Sequence, residues 1–561
     1  MSESASRVLI IGLDAATFDL IEPWAAQGYL PNLARLIAEG AHGRLASTLQ
    51  PATAPAWVTF MTGMNQGRHG LYDFVRRRPG SYNLDVTNSS HIAAPLMFET
   101  LSRLGQRVIT INIPYTYPPR PINGIMIGGP FAPAVTRELV SPPDYFDTLK
   151  QIAPDYFIIP DYNPRAADPM ADFADRLRRE VELRERVALH MMRTETWDVL
   201  QVVIMATDEV QHTFWQCQAA DDSSPLAKYR HVIRDIYQRC DEAVGRLIDA
   251  AQQDGRATDV IIVSDHGAGR FEWMVNLNQW LAEQGLLHFR ANTARPIKQL
   301  RSKVMERAGQ AYRRYMPARA RMAIRNTLGA QRFSQVQQEF QSALLTTTID
   351  WANTQAYSLG AGGNLYVNVK GREPTGTIEP GAEYEAIRQR LIDALLAMRA
   401  PDNDAPMVRQ AYRREELYHG AMLDHAPDVI VQWTDYAYWG RGYYGSQVSA
   451  FEQQRHFDFS DQPLTGSHRP EGILIAYGPH IRSGARVQGA KLVDLAPTIF
   501  HLLGFAPPAE MDGRVLSEML IDAGAAPVQM AATTGAAPEQ FDYTPEEAEQ
   551  ISEHLRALGY L

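Results

Sequence analysis

Continuous apolar runs, more than alternating ones, set the hydrophobic pattern of this chain. RVLIIGLD (residues 7–14) runs unbroken to a glycine and an aspartate, and RVITINI (107–113), DVLQVVIMATD (198–208), DVIIVSDHG (259–267), the run at 428–433 and GILIAYG (472–478) repeat the form. Such runs predict strands buried on both faces. Between them, residues 172–194, 226–252, 381–399 and 493–503 carry apolar positions at helical spacing. Buried strands alternating with helices predict an α/β fold, a central mostly parallel sheet with helices on both faces. Ligands in such sheets sit at the carboxyl ends of the strands, where Asp14, Asp208, Asp265 and His266 fall.

Two segments break the pattern. From Arg290 to Arg332 the chain carries twelve Lys or Arg residues and one acid, Glu306, in helix-forming stretches, which predicts an inserted basic helical cap at 290–340. Residues 524–538 are rich in Ala, Gly, Pro and Thr without apolar periodicity, the composition of a linker, taken as 524–543. After it, Thr544 and Glu547 form a capping box, and Ala548, Ile551, Leu555 and Leu558 share one face of a predicted helix over 544–561, so that face must dock on something. The remaining residues, 1–289 and 341–523, are expected to make up one domain.

Composition narrows the function. A formal net charge of −10 over 561 residues argues against general nucleic-acid binding. Two cysteines, Cys217 and Cys240, are too few for a disulfide framework. No run reaches the ~18 apolar residues of a membrane span, and the start lacks the form of a signal peptide. The expectation is a cytoplasmic protein. Contact with a lipid surface or a second copy would involve the basic insert or the C-terminal helix.

The candidate chemistry lies in a set of acids and imidazoles. In TDEVQH, Asp208 and His212 stand four apart, on one helix face, where both can reach one ion. SDHG adds Asp265 and His266, and GSHRPEG adds His468 before a late strand. Oxygen and nitrogen donors without cysteine suit zinc, manganese or a similar divalent ion. TLQPATAPAWVTFMTGMNQGRHG (48–70) places Thr53 ahead of Pro55 at a helix start, and its local reading is an N-cap. Trp57, Phe60 and Met61 read as core contacts, His69 as a residue holding a loop, and His419 and His425 as surface residues.

In this order GLDA, TAPAWVTFMTG with RHG, TDEVQH, SDHG and GSHRPEG resemble the alkaline phosphatase superfamily, most closely its type I phosphodiesterase/nucleotide pyrophosphatase branch. The resemblance implies an alkaline phosphatase-like α/β/α sandwich and two divalent metal ions, zinc or manganese. One would be held by Asp14, Thr53, Asp265 and His266, the other by Asp208, His212 and His468. It implies Thr53 as a nucleophile forming a phospho-threonine, and a small anionic phosphate ester as substrate. One position departs from the pattern: where the branch has an asparagine donor, this chain has Phe74, with Asn65, Arg68 and Arg76 nearby in sequence. Phosphomonoester or phosphonate hydrolysis, or transfer of a phospho-group, fits the same fold. Sulfate-ester chemistry is disfavoured by a threonine nucleophile, and a haloacid dehalogenase-type site by Asp-Ala-Ala at 14–16. A binding protein lacking catalysis would sit better with a missing ligand, and none of the seven positions is missing. An aromatic ring at position 74 and the absence of lysine from residues 1–149 tilt the expectation towards diesters.

Overall fold

A computed structural model describes residues 6–290, 348–442, 449–453, 463–521 and 540–557. The basic insert expected at 290–340 lies, from residue 291 onward, outside the described residues, as does the expected linker up to residue 539.

The predicted sheet has nine strands. In spatial order they are Ala490–Lys491, Ala41–Ala46, Glu471–Tyr477, Thr258–Val263, Arg7–Leu13, Val199–Ile204, Val108–Ile113, Gly124–Gly128 and Val140–Ser141. The five from Thr258–Val263 to Gly124–Gly128 are mutually parallel, with Ile10 opposite Ile261 on one side and Gln201 on the other. Glu471–Tyr477 runs antiparallel to both its neighbours, so the run at 472–478 closes the parallel set instead of extending it.

Alternation along Arg7–Leu13 divides the core. Leu9, Ile11 and Leu13 face a layer that includes helices Pro31–Glu39, Pro169–Thr194 and Val232–Gln252. Val8 and Ile10 face a second layer with helices Thr53–Thr62, Met97–Arg103 and Leu495–Leu502. This is the α/β/α sandwich that the apolar runs predict. Gly12 makes one contact possible: a Cβ there would lie 2.7 Å from the Trp57 ring, so the indole lies directly across the central strand.

The run at 428–433 belongs elsewhere. Val429–Trp433 is an inner strand of a separate four-stranded antiparallel sheet with Ala356–Ser358, Asn364–Val367 and Val408–Arg413. Helix Ala382–Leu396 covers this sheet through Leu391 and Leu395. An unbroken apolar run reports burial on both faces and not which sheet it joins.

The C-terminal helix is Pro545–Ala557, and its capping box forms: Thr544 N donates to Glu547 Oε2 at 2.7 Å and Glu547 N to Thr544 Oγ1 at 3.4 Å. Ala548, Ile551 and Leu555 are buried, the latter two in the layer that holds Trp57. The described part of the predicted docking face is therefore taken up by the chain's own core; Leu558 and the rest of the predicted helix to residue 561 lie outside the described residues. Just before the helix, Tyr543 stacks on Tyr117 with centroids 6.2 Å apart, and Phe541 O accepts from Asn88 and Ser90. No helix among the described residues is long and apolar enough to cross a membrane.

Candidate active site

Three adjacent parallel strands deliver their carboxyl ends to one point. Asp14 follows Arg7–Leu13, Asp265 and His266 follow Thr258–Val263, and Asp208 and His212 lie on helix Ala206–Phe214, which follows Val199–Ile204. His468 comes from Gly466–Arg469, a short strand paired antiparallel with Gly267–Arg270 so that His468 stands opposite Ala268. Thr53 opens helix Thr53–Thr62. All seven expected residues are buried.

They meet closely. Asp208 Oδ1 lies 3.3 Å from His212 Nε2 and 3.4 Å from His468 Nε2, and the two imidazole Nε2 atoms are 2.9 Å apart. His266 Nε2 lies 3.3 Å from Asp265 Oδ2 and 3.8 Å from Asp14 Oδ1. The donors of Asp14, Asp265 and His266 fall within 4.8 Å of one another, as do those of Asp208, His266 and His468. His266 thus stands between the two groups, its ring stacked on that of His468 at 3.7 Å.

Backbone carbonyls set the histidine tautomers. His212 Nδ1 faces Gly466 O at 3.0 Å, His266 Nδ1 faces Gly267 O at 3.1 Å, and His468 Nδ1 faces Pro51 O at 2.5 Å. A carbonyl only accepts, so each Nδ1 carries a hydrogen; His266 and His468, held neutral, turn an Nε2 lone pair inward, and His212, whose proton Asp208 favours, does so once that proton leaves. On the acid side, Asp14 Oδ1 and Asp265 Oδ2 are buried and receive no hydrogen bond among the described residues. Their other oxygens are satisfied: Trp57 Nε1 donates to Asp14 Oδ2 at 2.8 Å, and Ala15 N to Asp265 Oδ1 at 3.3 Å. Orphaned buried carboxylate oxygens facing imidazole lone pairs form a donor set that fits divalent cations.

The electrostatics agree with that fit. Burial, then the neighbouring Asp265 and Asp208 carboxylates, push Asp14 well above the usual carboxylate range, and burial with Asp208 pushes Asp265 up to about 8. Burial also opposes charge on Asp208, but His212 and His468 outweigh it and hold its carboxyl well below the usual range. Burial and then His468 keep His266 neutral, and burial likewise lowers His468. The protein's own groups thus leave two carboxyls that a cation would ionise.

Thr53 is not the N-cap that its local sequence predicts. The cap is Ala52, extended at φ −119° and ψ 139°, with no side-chain bond, and Thr53 is the first helical residue. Its hydroxyl is therefore free of a capping role and lies 3.4 Å from His266 Nε2. The helix keeps unpaired N–H groups at Thr53 and Ala54, while Pro55 has none to leave unpaired.

Two of the three polar residues near Phe74 in sequence are used elsewhere: Asn65 Nδ2 donates to Asp512 Oδ2 at 2.8 Å, and Arg68 pairs with Asp512 at 3.2 Å. The third, Arg76, lies on the short strand Val75–Arg77, paired with Leu84–Val86. Phe74 itself is fully buried beside Tyr115 and Phe131. His69 holds its loop as expected, with Nδ1 accepting from Leu71 N at 3.2 Å and Nε2 3.0 Å from Thr59 Oγ1. His419 is exposed. Trp57 is the residue that sequence reasoning undervalued: it is core, as expected, but its indole N–H also anchors Asp14. Its position one helical turn after Thr53 was the available signal.

Among solved structures, human ectonucleotide pyrophosphatase / phosphodiesterase 5 is similar at 14% identity and a TM-score of 0.46, over 92% of this chain and 100% of that one. Phosphonoacetate hydrolase from Sinorhizobium meliloti 1021, in complex with phosphonoacetate, is similar at 11% identity and a TM-score of 0.47, over 89% and 96% of the two chains. A search of curated proteins finds no match. The sequence profile of the type I phosphodiesterase / nucleotide pyrophosphatase family matches residues 8–458, a span that takes in Asp14, Thr53, Asp208, His212, Asp265 and His266 and the four-stranded sheet, with His468 just beyond it, and the chain belongs to that family.

Proposed function

We propose that this metal-dependent hydrolase cleaves phosphodiesters or pyrophosphates through a phospho-threonine at Thr53. The observation that carries the reading is the position of the Thr53 hydroxyl, uncommitted to capping, beside two groups of buried acids and inward-facing imidazoles. Asp14, Asp265 and His266, with Thr53, would hold one cation, and Asp208, His212 and His468 the other; zinc and manganese both suit these donors. Such ions supply Lewis-acid stabilisation to a nucleophilic oxygen and to phosphoryl oxygens.

The chain's own groups account for the rest. Thr53 Oγ1 loses its proton to solvent and attacks phosphorus; the Oγ–P bond forms, the bond to the leaving oxygen breaks, and that oxygen takes up a proton from solvent. The free N–H groups of Thr53 and Ala54 and the positive end of their helix favour the phosphoryl oxygens. Water then attacks phosphorus, the Oγ–P bond breaks, and Thr53 regains its proton. Trp57 and the three backbone carbonyls keep Asp14 and the imidazoles oriented through both steps. Phe74 offers no polar donor for the extra charge of a monoester, which favours a diester with one charge and a second organic arm. The buried free thiols Cys217 and Cys240 suit a reducing compartment such as the cytoplasm.

The test is kcat/KM for an aryl phosphodiester and the matching monoester on metal-replete protein, with Thr53→Ala and Thr53→Ser alongside. Alanine is expected to lose several orders of magnitude in kcat with metal content retained, and serine to keep part of the activity. Alanine turning over at the wild-type rate would remove Thr53 as nucleophile. A tenfold preference for the monoester, worth ~1.4 kcal/mol of transition-state binding, would overturn the diester assignment.

A further inference from the structure

The segment that delivers Thr53 is held from outside the main sheet. Three consecutive residues ahead of the helix are each bonded to the second half of the chain. The Tyr436 hydroxyl donates to Leu49 O at 2.9 Å, Gln50 Nε2 donates to Val431 O at 2.5 Å, and His468 Nδ1 donates to Pro51 O at 2.5 Å. The last contact belongs to a group already placed in the site. The other two come from the smaller sheet: Val431 lies in Val429–Trp433 and Tyr436 in the turn that follows.

That turn is built at a conformational cost. Asp435 and Tyr436 both take left-handed φ values, 50° and 51°, which non-glycine residues adopt only when surrounding contacts determine them. Those contacts lead back to the site. Tyr436 O accepts from Arg469 Nη1 at 2.6 Å, and the same guanidinium donates to His468 O at 2.9 Å and Arg270 O at 2.5 Å. Arg469 thus joins the Tyr436 turn to the hairpin that carries His468 and follows His266. Gly362 completes the approach: a Cβ on it would lie 2.7 Å from Gln50 Oε1, and its φ is +83°. Tyr436 therefore links the segment before the nucleophile to the strand that presents His468, while Gln50 ties that segment to the smaller sheet.

We propose that Tyr436, supported by Gln50 and Arg469, is a positioning residue for the Thr53 hydroxyl, which makes the smaller antiparallel sheet a functional part of the active site. The proposal rests on Thr53 being the nucleophile. Its physical basis is the steepness of reactivity with placement, since a shift of about 1 Å at a reacting group lowers the rate by ~100-fold. The one hydrogen-bonding contact of the Thr53 side chain among the described residues, its hydroxyl 3.4 Å from His266 Nε2, is long and leaves the backbone before it, residues 49–51, as the stronger determinant of where Oγ1 stands.

Tyr436→Phe removes the hydroxyl and keeps the ring. The expected result is a fall in kcat of about tenfold, the worth of one well-placed hydrogen bond, with KM, bound metal and unfolding temperature unchanged. Tyr384→Phe is the control, because it removes a hydroxyl bonded at 2.6 Å to Asp428, immediately before the same sheet's inner strand and away from Tyr436 and residues 49–51. It is expected to leave kcat unchanged. In a Thr53→Ser background, where the hydroxyl already rotates more freely, the loss from Tyr436→Phe is expected to shrink to threefold or less. An unchanged kcat in Tyr436→Phe, an equal loss in Tyr384→Phe, or the same tenfold loss in both backgrounds would overturn the proposal. Full activity in Thr53→Ala would instead overturn the nucleophile assignment, so the two failures are distinguishable.

Discussion

Stripping the metals and adding them back should release protons, in a number that the site's electrostatics set. In the metal-free protein Asp265 titrates near 8 because it is buried beside Asp208. At pH 7 such a carboxyl is about nine-tenths protonated. Asp14, also raised by burial and by Asp265, contributes up to one proton more, and His212, raised by its pairing with Asp208 against the effect of burial, contributes a fraction. His266 and His468, held neutral, contribute none. Refilling both groups at pH 7 should therefore release the Asp265 proton, about one per chain, with Asp14 and His212 adding to it, and apparent affinity should rise by ~10-fold or more per pH unit below the Asp265 titration. Calorimetric titration in two buffers of different ionisation enthalpy counts the protons directly. Release of none, with an affinity constant between pH 6.5 and 8, would refute the assignment of Asp14 and Asp265 as metal ligands.

The same shifts give the stripped protein a pH-dependent stability of known sign. A carboxyl raised in the fold binds a proton that the unfolded chain, titrating near 3.8, has already lost. Its stabilisation is complete below the unfolded value and disappears as pH rises through the folded one. Between pH 7 and 8 Asp265 alone should weaken the stripped protein by about 1 kcal/mol, with Asp14 adding in the same direction. The window matters, because His266 and His468, lowered in the fold, raise stability with pH only up to the ordinary histidine value of 6.5. Above it the carboxyls act without that offset, and metal should abolish the decline.

Trp57→Phe removes the N–H that anchors Asp14 while keeping an aromatic ring; metal affinity, measured by competition with a chelator, should fall by about tenfold. Glu180→Ala strips the partner from Arg184, with which it forms a fully buried pair at 2.9 Å, and should lower unfolding free energy in urea by about 3–5 kcal/mol. Phe74→Asn restores the residue type that the resemblance implies at this position, yet it buries an amide among aromatic rings. Stability is expected to fall by about 3–5 kcal/mol with no gain in diester turnover.

What could be read from the sequence follows from the range of the interactions involved. Asp14, Asp265 and His266 were legible because strands buried on both faces end at the binding edge of a parallel sheet, and Asp208 with His212 because a four-residue spacing needs only a helix. The helices at Pro169–Thr194, Val232–Gln252 and Ala382–Leu396 followed from local periodicity in the same way. Thr53 was legible as a helix start, but whether it or Ala52 would be the cap depends on one pair of dihedral angles that no residue type fixes. The sheet joined by Val429–Trp433 and the bond from Trp57 to Asp14 depend on which segments meet across hundreds of residues. Tyr436 lies 387 positions from Leu49, a separation at which no local pattern carries a signal.

Phe74 is tied to the chain's C-terminal segment. Its ring lies 5.5 Å from Phe131 and 6.4 Å from Tyr115, with Phe131 and Tyr115 themselves 5.1 Å apart. Phe131 O accepts the Tyr543 hydroxyl at 2.8 Å, and Ile551 and Leu555 enter the same buried layer. A polar donor at 74 would sit unpaired among these rings, at a penalty of several kcal/mol, unless the helix withdrew. An apolar residue at 74 and a C-terminal helix packed into the layer around it therefore stabilise each other. The departure from the family's pattern reads as one packing solution in which the C-terminal segment closes the aromatic layer beside helix Thr53–Thr62. On the proposed function, stabilisation of the phosphoryl group would then fall to the cation sites and to the N–H groups of Thr53 and Ala54.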